Sequence, residues 1–281
     1  MKKTRYLAPP RDAVDPQVFD RMPLAAWREY LHLLTSPAWP GIDTLNAARP
    51  PGMRERFAVQ TRELLADGLH YEQRIAERGD IATRENNWHD LFNALAWLRH
   101  PALKRALNAR QVAEITHMGP KQRSRAQYAL THFDEAGVIV TLRDSALLAL
   151  WDVHDWHGLF WREREAWLDG RIQLDVFGHA LLEHALTPGQ LLVGKAVVLL
   201  RAGRPPAGDE PGENGARAGA ACARAIHAGQ WLLDPLELRP LPLAGIPGWH
   251  PGNGREAFFD ETPCFMSVRP GRRYPAPLAG G

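Results

Sequence analysis

The segment ENNWHDLFNALAWLRHPALKRALN (85–108) constrains the fold more than any other stretch of the chain. Trp88, Leu91, Phe92, Leu95 and Leu98 recur at helical spacing and form one apolar face. Pro101 kinks or restarts the helix. Opposite the apolar face lie Asn86, His89, Asp90, Asn93 and Trp97. Asn86, His89 and Asn93 are three and four residues apart, so their side chains project together. A merely solvated helix face is usually built from Lys and Glu. Here it carries His and Asn, and Trp97 in its midst needs cover. The face reads either as a solvated surface or as a hydrogen-bonded network around a site.

Around this helix the chain reads as α+β, mostly helical. Residues 16–35 suit a helix, with Asp15 as N-cap and Pro16 at the first position. RFAVQT (56–61) suits a strand. LHYEQRI (69–75) and IATR (81–84) read as two strands joined by a tight turn at Gly79-Asp80. The chain resumes as helix over 109–133, 145–169, 178–187 and 189–201, with a turn at Gly137 followed by a short strand. RAGRPPAGDEPGENGARAG (201–219) reads as loop, with a flexible insertion over 203–216 and a helix at about 217–232. The Pro-rich tail, 235–281, should wrap irregularly over the body of a single domain.

Three further constellations carry chemistry. His179 and Glu183 are four apart on one helix, a spacing that can hold a divalent metal or form an oriented acid–base pair, or simply close a helix start. Asp134 and Glu135 read as adjacent in a turn, where Asp134 would bond the backbone and Gly137 would take a positive φ. Alternatively, one of the two carboxylates reaches His89 or a metal. His154, Asp155 and His157 look like ligands, but His154 falls on the side of Leu147, Leu150 and Trp151 and reads as a core histidine with a hydrogen-bond partner. Lys121, Arg123 and Arg125 form one short basic segment, and Arg269, Arg272 and Arg273 another.

NWHDLFNAL, FDEAG and FGHALLE, in that order, resemble domain-of-unknown-function family 3025, a bacterial family without an agreed activity. The resemblance runs from about residue 55 to the C-terminal segment. It implies motif positions at Tyr71, Glu72, Arg84, Asn87, His89, Asp90, Asn93, Asp134, Glu135, His179 and Glu183. Where it leads one to expect Phe-Pro-Arg, this chain has His100-Pro101-Ala102, so no basic role is assigned there. The candidate catalytic residues are His89, Asp90, His179 and Glu183. The candidate binding residues are Glu72, Arg84, Asn87, Asn93, Asp134 and Glu135.

Composition narrows the classes of function. The 34 basic and 32 acidic residues leave a net charge of +2, too small a field to draw in DNA or a membrane by itself. Cys222 and Cys264 are the only cysteines, which excludes a disulfide framework and a Cys-rich zinc site. No apolar stretch follows the N-terminal lysines, and Leu191–Leu200 is too short to span a bilayer, so a cytoplasmic location is expected. No GxxxxGK[ST], GxGxxG or GxSxG motif is present, which argues against a nucleotide cofactor and against the common serine-hydrolase classes. Small-molecule and nucleic-acid partners stay open. One expectation is a hydrolase-like enzyme with a polar site around His89 and His179, metal-assisted or not. The other is a ligand-binding or interaction protein in which the same residues are structural. The ββα order read for 69–98 also resembles the finger of HNH nucleases, with only His70 placed to serve on its first strand.

Overall fold

The computed structural model describes residues 6–119, 122–201, 203 and 211–279. The fold is α+β and mostly helical, with one buried apolar cluster reaching from Val18 to Phe259. The 85–108 segment forms two helices, Trp88–Arg99 and Pro101–Met118, with Pro101 at the first position of the second. Asn87 caps the first, its Oδ1 accepting from the Asp90 N–H at 3.0 Å. Phe92 and Leu95 are fully buried, and Trp88, Leu91 and Leu98 nearly so.

RFAV forms strand β1 (Arg56–Val59), as its composition suggests. The expected hairpin after it does not form. Tyr71–Arg78 is a helix and Asp80–Thr83 is strand β2, which pairs with β1 in parallel. The physical reason is capping. The His70 Nδ1 accepts from the Glu72 N–H, and the Gln73 side chain accepts from the His70 N–H, both at 3.3 Å. Gly79, at φ 74°, ends the helix in the left-handed conformation, so it is a C-cap and not a hairpin turn. The likeness to an HNH finger falls with the hairpin.

The main sheet has the order β4-β3-β5-β6, with β7 also on β5. β3 (Gly137–Leu142) lies parallel to β5 (Val193–Leu200) and antiparallel to β4 (Ile172–Val176). β6 (Arg239–Pro242) and β7 (Leu278–Ala279) share the other edge of β5. Thus 189–201, expected as helix, is a central strand. Its VVLL run is apolar on both faces because both faces are covered.

Other expectations are corrected in detail. The 16–35 segment is broken into 3-10 turns at Pro16–Asp20 and Leu24–Tyr30 and a short helix at Leu31–Leu34, with Pro23 between the turns. Asp15 does cap the first turn, accepting from the Gln17 N–H at 3.0 Å. The 145–169 segment splits into Ser145–Asp152, a π-turn at Gly158–Arg162 and Arg164–Leu168. Of the expected insertion, 204–210 lie outside the described residues and 211–216 begin the helix Pro211–His227, which starts earlier than expected. The 235–279 segment contributes β6 and β7 to the sheet between 3-10 turns. Among the described residues no helix is long and apolar enough to cross a membrane.

Candidate functional site

Two chain crossings build the site. The helix Arg125–Ala136 runs directly into β3, so Asp134 and Glu135 occupy its last turn instead of a loop. Gly137 is at φ −67°, not the positive value expected of a turn. β4 then ends beside this junction, and the N–H groups of Phe177 and Gly178 both donate to the Gly137 carbonyl at 2.9 Å. A Cβ at Gly178 would lie 2.4 Å from Ala136 Cα and Gly137 N, so only glycine permits this approach. The next residue, His179, opens the helix His179–His184 and is thereby delivered to Asp134 and Glu135.

The helix Trp88–Arg99 packs against His179–His184 and supplies His89. The Nε2 atoms of His89 and His179 are 3.1 Å apart. Glu135 Oε2 lies 3.9 Å from the first and 3.7 Å from the second. On the far side of its ring, His89 Nδ1 donates to Glu183 Oε2 at 3.0 Å. His179 Nδ1 is buried and lies 3.9 Å from Asp134 Oδ2. Burial pushes the His179 imidazole down to about 3, so it is neutral. Burial also works against charging His89, but the Glu183 hydrogen bond and the Glu135 and Glu183 charges outweigh it and raise its pKa.

Beneath this group runs a hydrogen-bonded chain. Lys104, almost fully buried, donates to Asp134 Oδ1 at 2.6 Å and to Asn93 Oδ1 at 2.8 Å. Asn93 in turn donates to the Tyr71 hydroxyl at 3.0 Å. Burial would raise the Asp134 carboxyl, but the Lys104 ammonium overcomes it and lowers the pKa. Glu72 accepts from Asn108 Nδ2 at 2.7 Å, and burial, against smaller opposing effects of that bond and of the Lys104 and Arg123 charges, pushes it up to about 7.

The remaining candidates stand apart from the histidine pair. Asp90 accepts from the Arg84 backbone N–H at 2.6 Å and from its guanidinium at 2.7 and 3.0 Å, while Asn87 serves as helix cap. These contacts fix the loop before the helix. Lys104 and Asn108 were not among the candidates. Their signal was nonetheless present, because Lys104, Asn108 and Gln111 recur at helical spacing and all three are buried.

A cleft of about 430 Å³ opens over the cluster, lined by His89, Glu135 and His179 and by Glu72, Asn93 and Arg123 among others. A second groove, of about 1030 Å³, reaches His89, Glu135 and Glu183 from the other side, between Tyr6, Pro9, Trp39 and Trp88. Of the two basic segments, Arg123 joins the cleft and donates to Thr131 Oγ1, Arg125 pairs with Asp234 and Lys121 lies outside the described residues. Arg272 stacks over Tyr274.

A family model described as a protein of unknown function, DUF3025, matches residues 56–269. The chain belongs to this family. The matched span contains every residue of the cluster, from Tyr71 through His89, Asp134 and Glu135 to His179 and Glu183. No curated protein and no solved structure matches the chain.

Proposed function

We propose that this DUF3025 member is a hydrolase whose attacking water is activated where His89, His179 and Glu135 meet, at the floor of the cleft. The supporting observation is the convergence of two imidazole Nε2 atoms and a carboxylate oxygen within 3.9 Å of one another. The residues come from three helices, and the group borders a cleft of substrate size. Glu183 gives His89 the orientation that a proton acceptor or ligand needs, by fixing the proton on Nδ1 and leaving Nε2 free to act. His179 is neutral and presents a second nitrogen. Glu72, raised toward neutrality on the cleft wall, is suited to give up a proton to a leaving group. Arg84 and Arg123 at the cleft edges can hold an anionic part of the substrate.

A panel of chromogenic carboxylic esters, phosphate mono- and diesters and amides tests this reading. The wild type should turn over one class. His89→Gln should lose at least about 100-fold in that turnover with its thermal midpoint kept, since glutamine cannot take up and release a proton near neutral pH. No turnover of any class, together with an unperturbed His89→Gln, would return these residues to a structural role.

A further inference from the structure

The protons around the two histidines leave a gap that water activation alone does not fill. His89 Nδ1 faces a carboxylate oxygen at 3.0 Å and therefore carries its proton there. His179 Nδ1 is turned toward Asp134, whose Oδ2 lies at 3.9 Å, which favours a proton on that nitrogen too. With their outer nitrogens turned toward carboxylates, both rings direct Nε2 toward each other and toward Glu135 Oε2. Three atoms able to bind a cation face one point. A proton shared between the two Nε2 atoms would satisfy that pair. It would leave Glu135 at 3.7 and 3.9 Å, beyond hydrogen-bond reach of either nitrogen.

A cation satisfies all three. A triangle with sides of 3.1, 3.7 and 3.9 Å has its centre about 2.1 Å from every corner. Zinc–imidazole and zinc–carboxylate bonds are roughly 2.0–2.2 Å long. At that bond length, neighbouring ligand atoms are about 3.4 Å apart in a tetrahedron and about 3.0 Å apart in an octahedron. The observed separations average about 3.6 Å, wider than both and nearer the tetrahedral value.

We infer that His89 Nε2, His179 Nε2 and Glu135 bind one four-coordinate divalent cation of the zinc class, with its fourth position open to the cleft. Two imidazoles and one carboxylate suit this ion, and three protein ligands with one open position are the arrangement of catalytic rather than structural zinc. Water in such a position ionises at about pH 7. Glu183 is then a positioning residue that holds the His89 ring through Nδ1. The inference rests on the proposed hydrolase in its placement of the reacting water, but its test reads the metal directly.

The full chain is stripped with a chelator and titrated with zinc by calorimetry. One equivalent should bind. His89→Gln and Glu135→Gln, both at partly exposed positions, should lose that binding while circular dichroism and thermal unfolding stay cooperative. Glu183→Gln should keep the stoichiometry and weaken affinity by about 10–100-fold. X-ray absorption on the zinc-loaded wild type should show four nitrogen or oxygen ligands, and cobalt substitution should give the intense visible bands of a four-coordinate ion. The inference is overturned if the wild type binds no zinc, if binding survives loss of His89 and Glu135, or if the absorption spectrum shows six ligands. Turnover that persists in the metal-free chain also overturns it and leaves the hydrolase standing. Zinc bound as described with no turnover of any substrate class does the reverse.

Discussion

Two regions of this molecule hold histidines beside carboxylates, and they are organised in opposite ways. At 154–157 every ring nitrogen has its own partner. His154 reaches the Met266 carbonyl at 3.0 Å and the Tyr274 hydroxyl at 2.8 Å, and His157 reaches Glu256 at 2.6 Å and Arg162 at 3.2 Å. The partners are four different residues. At His89 and His179 the outer nitrogens face carboxylates while the inner ones face each other. Side-chain composition is alike in the two regions. What differs is that the second is assembled from separate helices around one point, whereas the first pins loops to the body. Convergence of ring nitrogens on one point, and not the count of histidines, distinguishes the cluster from a brace.

The largest expected difference between the regions is in their ion pairs. Lys104 and Asp134 have side chains 5% and 25% exposed, whereas Arg162 and Asp155 are 56% and 31% exposed. Lys104→Met strands Asp134 and Asn93 without their donor. It should cost about 3 kcal/mol in urea unfolding, the lower end for a buried pair because Asp134 is not fully enclosed. Arg162→Met should cost less than about 1 kcal/mol. Equal losses would show that the two regions do not differ in the way described. Asp134→Asn combined with Lys104→Met should recover part of the loss, since the unpaired charge is then gone.

A third histidine separates burial from convergence. His100 is as enclosed as His179, but its ring sits between Trp27 and Phe177 with Asp175 3.5 Å from Nε2. Burial, against a smaller opposing effect of Asp175, pushes it down to about 4. The folded state therefore takes up this proton less readily than the unfolded chain. Its contribution is complete above the unfolded value of about 6.5 and is lost as the pH falls toward 4, by on the order of 3 kcal/mol. The difference in stability between wild type and His100→Phe should change by that amount between pH 7 and pH 4, in the direction that disfavours the wild type in acid. Zinc binding at pH 7 should not respond. A flat difference would mean that His100 is charged or hydrated in the fold.

Local signals made the central helix legible. The spacing of Trp88 to Leu98, the Asn87 cap and the break at Pro101 all act within a few residues. Pairing across the sheet was not legible. Leu191–Leu200 reads equally as buried helix or buried strand, because a run apolar on both sides carries no period. Tyr71–Arg78 was misread because Gly79 ends a helix as readily as it turns a hairpin. The motif residues marked which side chains gather in the cluster, but the separation of their contacts did not follow from them. Asp90 looks as chemical as Glu135 in sequence, yet it is spent on Arg84 while Glu135 faces the histidines. Gly178 has the most testable hidden role. Gly178→Ala places a methyl against the backbone of Ala136 and Gly137. It should cost about 1–3 kcal/mol as an overpacked contact. It should also weaken zinc binding by moving His179, whereas alanine at Gly254, where a Cβ meets nothing within 4 Å, should leave both unchanged.

A finer contrast lies at His154 and concerns the backbone. His154 is at φ 56°, in the left-handed region that a residue with a Cβ enters at a cost. Its side chain offsets that cost through the bonds to Met266 and Tyr274, which hold the 266–274 segment against the body. His154→Ala loses both bonds and keeps the Cβ, so it should destabilise by about 1–2 kcal/mol. His154→Gly loses the same bonds but removes the Cβ, and it should be more stable than the alanine variant by about 1 kcal/mol. The order Gly above Ala is unusual for a folded protein and follows only if the backbone at 154 is held left-handed. Neither variant should alter the zinc isotherm, because no nitrogen of this ring is shared with another ligand atom. If His154→Ala weakened zinc binding as much as His89→Gln does, the two histidine regions would be energetically coupled and the contrast between brace and site would fail.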